Sequence, residues 1–345
     1  MSEFHLPHWR SSFRGVLGCV AAVVAISAAP LIAAGPAISI DRDQPAAAEP
    51  VSLAMRLKPG WTLSQELTST NRVQQTMQGM QTDFSSTMII DFTHRVRPDA
   101  PSLEGGVVAM ESVITRMRLD LTMPMQAPIR ADSADVEALA GSPQAAMIRP
   151  MFAVVGVPMR YELTADGGLL KTAGLDEILI GLPGQGSPAA MLLGQLIPKL
   201  PKAPVSTGDA WKQTVPAEPP LPGEVEVTWT MQKLKGSIVV TDLESTVTLE
   251  NEDIEPQPGM MATITMNGTQ RGTADIDVQT GWMTRLESTQ SMSGSITLNG
   301  GPVPTVVPMT STAISKLRTV PAPSPPTTAP ATPPAAPAAP GAVGG

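Results

Sequence analysis

The chain has 345 residues and a formal net charge of −8, with 3% aromatic residues, 20 Met and 36 Pro. This length allows one large domain or two smaller ones, with enough residues to bury a sizeable core. The acidic balance, without any run of Lys or Arg, argues against a nucleic-acid partner, because phosphate binding needs a basic surface.

The first 37 residues predict an export signal. Arg10 and Arg14 precede an uncharged, largely apolar stretch at residues 15–34, and small residues at its end offer a cleavage site. The stretch is also long enough to span a bilayer, so an uncleaved N-terminal anchor is the alternative. Both interpretations predict an exported protein of the bacterial periplasm or cell envelope. Cleavage would remove Cys19, the only Cys, so the exported chain would need no disulfide.

Composition divides the remaining chain into three parts. Residues 38–50 predict a polar Pro/Ala linker, and residues 51–320 predict a β-rich domain with a helical insert near 133–200. Residues 321–345 are uncharged and rich in Pro and Ala, so they cannot build a core and predict a disordered tail. The tail is either a spacer or docking peptide within the cell wall or an unstructured extension.

Period-2 alternation of apolar and polar residues dominates the β-rich domain. It is clearest in residues 115–123, 225–231 and 239–249, where one face of each segment is apolar and the other is polar. This pattern is typical of antiparallel strands with one packed face and one face in water. The many Met residues indicate a core filled by adaptable, unbranched side chains.

The middle of the chain has a helical pattern instead. Ser142-Pro143 and Ser187-Pro188 each place a capping residue before a Pro at the first helical position, ahead of apolar residues at helical spacing. Segregated strands and helices predict an α+β fold, mainly antiparallel β, with the helical middle segment packed on one face. These helices either complete the core or form an apolar lid over a ligand pocket. The lid residues are Met147, Met151, Phe152, Met191, Leu192 and Leu196.

Four stretches carry a resemblance to a known family. TMQGMQTDFSSTMIIDFTHRV, YELTADGGLLKTAGLDEI, KAPVSTGDAW and GTADIDVQTGWMTRLES follow one another within residues 51–298. Together they resemble an uncharacterised family of exported bacterial envelope proteins, known as a domain of unknown function. The resemblance implies a compartment and an architecture, without catalytic residues. The layout is also distantly similar to the curved half-barrels of periplasmic lipoprotein carriers, which hold acyl chains under a helical lid.

The segment GTADIDVQTGWMTRLEST, residues 272–289, contains the one cluster of carboxylates that suggests chemistry. Asp275 and Asp277 fit the first two positions of a calcium loop, but Gly281 and Glu287 each fall one residue late. A pair of carboxylates could also serve a hydrolase, although no aromatic platform for a sugar surrounds it. A β-hairpin with a turn at residues 279–281 explains the pattern without adjustment.

Other chemistry has little support in the sequence. His94 is the only His that remains after cleavage, and its place in an alternating segment favours a structural role. Nucleotide-binding and zinc-binding motifs are absent from the sequence, so we predict no cofactor and no metal. We therefore expect a non-enzymatic envelope protein that binds an apolar ligand such as a lipid or acyl chain. The alternatives are a structural or interaction protein of the envelope or cell wall, and a hydrolase that uses Asp275, Asp277 or Glu287.

Overall fold

The computed structural model describes residues 49–77, 79–98, 106–124, 126–139, 145–174, 193–194, 196–216, 224–257, 260–299 and 304–321. Twelve strands run through these residues, with one short 3-10 helix at Ser133–Leu139 and one α-helix, α1, at Ala145–Phe152. The strands are β1 Thr62–Met77, β2 Met80–Val96, β3 Val108–Thr122, β4 Ile129–Asp132, β5 Pro158–Leu163, β6 Leu169–Ala173, β7 Ala210–Pro216, β8 Glu224–Lys235, β9 Ile238–Gln257, β10 Met260–Asp277, β11 Met283–Leu298 and β12 Thr305–Val320.

All twelve strands belong to one antiparallel sheet, in the order β6-β5-β3-β2-β1-β12-β11-β10-β9-β8-β7, with β4 paired to the second half of β3. The first strand therefore pairs with the last one in the middle of the sheet. From this seam the strands extend in both directions. On one side β12 to β7 follow one another in sequence order, and on the other side β1, β2 and β3 are followed by β5 and β6. We call the end where β1 begins and β12 ends proximal, and the end with the β1–β2, β9–β10 and β11–β12 turns distal.

The predicted alternation is confirmed in the strands. Met117 and Leu121 of β3 are buried, as are Trp229 of β8 and Leu243 of β9. The hairpin predicted at residues 272–289 is also confirmed, since β10 and β11 flank a turn closed by the Gly281 N–H and the Asp277 carbonyl at 2.7 Å. Burial of one face of each strand on a common core stabilises this arrangement.

The sheet curves, and its inner face carries three apolar clusters along the strands. The central cluster includes Leu67, Ile90, Phe92, Ile114, Leu243, Leu286 and Leu317, and it packs against Ile148 and Phe152 of α1. The proximal cluster includes Leu53, Met55, Met110, Tyr161, Met231, Ile276 and Trp282. The distal cluster consists of Val73, Phe84, Val247, Leu249, Ala262, Ile264, Met266, Met292, Ile296 and Met309.

The predicted α+β class with a helical middle segment is wrong, because the described residues are nearly all antiparallel β. The described part of the middle region contains α1 of eight residues, the 3-10 helix and the strands β5 and β6. A helix this short is marginal without tertiary packing, and Pro150 lacks the N–H that an interior helical hydrogen bond needs. The helix predicted near Ser187 lies outside the described residues except at its end, where residues 193, 194 and 196 are helical and the Ile197 N–H donates to the Leu193 carbonyl at 3.0 Å.

Extended segments, rather than helices, cover the proximal end of the inner face. The Met55 N–H donates to the Ala165 carbonyl at 2.7 Å, and the Arg56 N–H donates to the Thr280 carbonyl at 2.9 Å, so one segment connects the two arms of the sheet. Gly281 makes this close approach feasible, because a Cβ there would lie 2.3 Å from the Ala54 carbonyl oxygen.

Candidate ligand site on the inner face of the sheet

The structure describes three of the six predicted lid side chains, and these three have different environments. Phe152 and Leu196 are buried in the central cluster, whereas Met151 is 37% exposed. Met147 lies on α1, but its side chain is outside the described part of the structure, as are Met191 and Leu192. The apolar lid therefore stays a prediction, with Phe152 and Leu196 placed on the inner face.

Between the central and distal clusters, the inner face of the sheet is polar. We call this region the polar belt, and it consists of two rows of residues that are neighbours across adjacent strands. The row nearer the distal end contains Ser86, Asn71, Ala313, Gln290, Gln270 and Ser245. The row nearer the proximal end contains Ser69, Ser315, Ser288 and Gly272. These ten positions separate the central cluster from the distal cluster.

Four buried polar atoms of the belt receive no hydrogen bond from the described protein atoms. They are Asn71 Oδ1, Ser245 Oγ, Gln270 Oε1 and Ser315 Oγ, and their residues are each no more than 3% exposed. The remaining bonds in the belt are few. Gln270 Nε2 donates to Ser288 Oγ at 2.9 Å, and Asn71 Nδ2 donates to Ser69 Oγ at 3.4 Å. Because buried polar atoms nearly always find a partner, this concentration marks the belt as a candidate binding site.

The distal cluster lies between two strand edges that have no partner among the described residues. Pairing of β9 with β8 ends at Ser245, and pairing of β2 with β3 ends at Ser85. Beyond these points β9 pairs with β10 and β2 pairs with β1. Phe84 lies beside one free edge and Val247 beside the other, and both belong to the distal cluster. The distal cluster is therefore flanked on both sides by strand edges that no described strand covers.

A second buried polar group lies in the proximal region, and its bonds are almost complete. His94 Nδ1 is 2.6 Å from Ser112 Oγ, which is 2.7 Å from the Tyr161 hydroxyl. The Trp282 indole N–H donates to Gln65 Oε1 at 3.2 Å, and its ring packs 5.1 Å from that of His94. Burial lowers the pKa of His94 to about 3 and raises the pKa of Tyr161. His94 is fully buried, which fits the structural role that we predicted.

The carboxylates of the hydrolase alternative lie on the outer face or in the turn. Glu287 is 2.9 Å from Lys316 and 3.0 Å from Arg285, and these cations lower its pKa. Asp277 accepts the Thr280 hydroxyl at 2.8 Å within the β10–β11 turn. Asp275 lies 4.0 Å from Arg285. None of the three lines either of the two grooves described below, so this geometry gives the hydrolase alternative no support.

Two open grooves exist on other parts of the described surface. One, of about 690 Å³, follows the edge strand β7 and is lined by Asp166, Lys199, Asp209 and Lys212 among others. The other, of about 270 Å³, lies beside β4. Neither groove contains a belt residue. Within the described residues no cluster of three or more His, Cys, Asp or Glu side chains is placed to hold a metal.

Comparisons with known proteins give a family match over part of the chain and no activity. Residues 190–283 match the model of a family of unknown function (DUF6263), which confirms the predicted domain of unknown function for this part of the chain. The predicted location of that family in the envelope stays a prediction. The chain has no match among curated proteins. In the described part of the chain, no helix has both the length and the apolar character needed to cross a membrane.

Two solved structures share distant similarity with the chain. A structure of lipid–protein interactions in lipovitellin has 10% identity and a TM-score of 0.41, over 78% of this chain and 26% of that one. The β domain of the Bordetella autotransporter BrkA has 10% identity and a TM-score of 0.20, over 75% of this chain and 100% of that one. The chain thus spans about a quarter of the lipovitellin chain, and similarity at this level carries no argument about a ligand.

The sequence analysis did not identify the belt. The sequence nevertheless contains an indication of the belt, because polar residues occupy inward strand positions where the alternation predicts apolar residues. Ser69 and Asn71 interrupt β1, and Ser288 and Gln290 interrupt β11. A single interruption of this kind is common, and the pattern becomes visible only when the register places the interruptions side by side.

Proposed function

We propose that this protein is an exported, non-enzymatic binding protein of the bacterial cell envelope, and that its ligand is an apolar, lipid-like molecule held on the inner face of the sheet. One observation carries the proposal: a separate apolar cluster lies at the distal end, next to two strand edges that lack a partner among the described residues. The central cluster is packed against α1 and the proximal cluster against extended segments, whereas the distal cluster consists of strand residues.

The composition of the distal cluster suits a ligand that must be accommodated and released. Met266, Met292 and Met309 contribute three unbranched side chains, which can change conformation at low cost. The inward positions from Met292 to Leu298 of β11 extend over about 20 Å, at roughly 3.4 Å per residue. An apolar chain could therefore lie along the strands and replace contacts that these side chains make with one another.

The test is native mass spectrometry of the full chain after bacterial expression and purification without detergent, followed by solvent extraction of bound lipid. We expect a co-purifying lipid, and we expect the protein to take up Nile red, a neutral apolar dye. Met266→Gln should reduce uptake, because it places an amide in the distal cluster. Met261→Gln is the matched control, since Met261 lies on the same strand and is 47% exposed.

The proposal fails if no lipid co-purifies and the folded wild-type protein takes up no dye. Equal dye uptake by the wild type and a folded Met266→Gln variant would place the ligand elsewhere. Circular dichroism and thermal unfolding of each variant separate loss of binding from loss of folding.

A second candidate is a structural or interaction protein of the envelope. Three exposed apolar side chains favour it, because Met80, Met261 and Val306 all lie near hairpin turns at the distal end. Exposed apolar residues concentrated at one end of a molecule are a feature of interaction surfaces. Replacing all three with Ser should abolish retention in the envelope fraction if this candidate is right, and should leave lipid content unchanged.

A further inference from the structure

We propose that the polar belt is the head-group site of the ligand, and that it selects an uncharged head that both donates and accepts hydrogen bonds. The ligand class is an acyl chain that ends in hydroxyl or amide groups, such as a monoacylglycerol, rather than a free fatty acid or a phospholipid. This inference rests on the proposed function and adds the chemistry of the ligand and its orientation.

The unpartnered atoms define what the head must provide. Asn71 Oδ1 and Gln270 Oε1 are acceptors, so the ligand must bring donors to them. Ser245 Oγ and Ser315 Oγ can each donate or accept. The register places Asn71 and Ser315 on the adjacent strands β1 and β12, and Gln270 opposite Ser245 on the adjacent strands β10 and β9. The strand β11 lies between these two pairs, so a small polar group at either pair has two of the four atoms beside it. A molecule with two or more hydroxyl groups meets this requirement.

Charge decides between neutral and ionised heads. The two rows of the belt contain only Ser, Asn, Gln, Ala and Gly, so none of their side chains can neutralise a carboxylate or phosphate. The nearest positively charged residues in the sequence, Arg72, Arg271 and Lys316, have side chains that are more than half exposed on the outer face. Burying an ionised head without a counter-charge is strongly unfavourable, whereas a neutral hydroxyl needs only hydrogen bonds.

The order of the clusters fixes the orientation of the ligand. The belt has the central cluster on its proximal side, where Ile148 and Phe152 of α1 cover the inner face. On its distal side lies the apolar cluster, flanked at Phe84 and Val247 by strand edges without a described partner. The head therefore lies inward at the belt, and the acyl chain extends along the distal cluster toward the distal end of the sheet.

The experiment compares two probes with the same chain, 1-monooleoylglycerol and oleate, by displacement of Nile red from the full-length protein at pH 8. We expect the monoacylglycerol to bind at least about tenfold more tightly than oleate. This difference corresponds to one or more buried hydrogen bonds to a head group that carries no charge. Gln270→Leu should remove most of this preference. Gln74→Leu is the matched control, because Gln74 lies on the outer face of β1 and contacts Asp83.

Each result has a distinct meaning. A preference for monooleoylglycerol that Gln270→Leu abolishes and Gln74→Leu preserves supports the head-group site. Equal binding of both probes, unchanged in folded Gln270→Leu and Asn71→Leu variants, overturns the head-group site but leaves the proposed function standing. If neither probe binds to the folded wild type and no lipid co-purifies, the proposed function fails and the head-group site fails with it.

Discussion

Ser112 in the proximal region and Ser315 in the polar belt are both almost completely buried on the inner face of the same sheet, yet their surroundings differ. Ser112 lies within hydrogen-bond distance of both His94 and Tyr161. Ser315 Oγ has no partner among the described protein atoms. The buried polar group of the proximal region also includes Trp282, whose indole N–H donates a hydrogen bond to Gln65. In that group only His94 Nε2 lacks a described partner.

The contrast separates polar groups that stabilise the fold from polar groups that are available to a ligand. A satisfied buried network makes the local structure rigid, because breaking any bond exposes its partner to an apolar surrounding. An unsatisfied network costs stability in the absence of a ligand, and natural proteins retain such costs mainly where function requires them. The predictions below test this difference, in order of decreasing effect on stability.

Trp282→Ala should produce the largest loss of stability. The indole ring is fully buried, contacts the rings of Trp61 and His94, and donates to Gln65. Removing it should lower the free energy of unfolding by about 3–5 kcal/mol. Chemical denaturation measures this change, and Leu234→Ala, at a position 40% exposed, should cost no more than about 0.5 kcal/mol. A loss below about 1 kcal/mol for Trp282→Ala would contradict the packing described for the proximal cluster.

His94 should make the protein less stable in acid. Burial lowers its pKa to about 3 in the folded state, whereas the unfolded value is about 6.5. Between these values the unfolded chain binds one more proton, so stability falls as pH decreases from about 6.5 toward 3, by at most about 1.4 kcal/mol per pH unit. The variant His94→Asn, which cannot be protonated, should lose this component. The prediction is refuted if the free energy of unfolding of the wild type and of His94→Asn changes with pH in the same way across that window.

Ser112→Ala and Ser315→Ala make the same chemical change in the two regions. Ser112→Ala should cost about 1–3 kcal/mol, because it leaves His94 and Tyr161 without a buried partner. Ser315→Ala should change the free energy of unfolding by less than about 0.5 kcal/mol or increase it, because no described protein bond is lost. Denaturation of lipid-free protein measures both values, and similar costs for the two variants would remove the distinction between the regions.

Glu66→Gln should have a smaller effect than the three variants of the proximal region. Glu66 lies on the outer face between Arg318 at 2.8 Å and Arg118 at 3.3 Å, and the two Arg side chains are 67% and 34% exposed. Such pairs contribute about 0.2–1 kcal/mol, and their contribution decreases with salt. Thermal unfolding in low salt and in 1 M NaCl should therefore show a small difference from wild type that disappears in high salt. A large difference that persists in high salt would mean that Glu66 has a role beyond the ion pairs.

Much of the sheet can be predicted from the sequence, because alternation is a local property. The inward positions of β3, β8 and β9 follow from pairs such as Met117 and Leu121, and the β10–β11 hairpin follows from Gly281 and the alternation on either side of it. The helical middle was predicted incorrectly. Capping residues and apolar spacing indicate where a helix can begin, but they do not indicate its length, and α1 spans only eight residues. Local signals do not indicate that extended segments cover the inner face.

The candidate site was harder to predict, because it depends on register. Asn71 and Gln270 are about 200 positions apart in sequence, and each by itself resembles an ordinary polar residue in a strand. Only the pairing of β1 with β12, β12 with β11 and β11 with β10 places them in one row. The predicted lid residues were selected for apolar spacing alone, and of these Phe152 and Leu196 are buried in the central cluster.

The seam between β1 and β12 determines the order in which the sheet can form. Ser64 pairs with Val320, 256 positions later, whereas the pairs on either side of the seam join strands that are consecutive or, for β3 and β5, separated by one strand in sequence. Local hairpins close quickly and a loop of this length closes slowly, so the two sides of the sheet can form first and join last. Until they join, β1 and β12 each present an unpaired edge. The belt rows cross the seam, with Asn71 on one side and Ser315 on the other, so the ligand site is complete only after the final folding step.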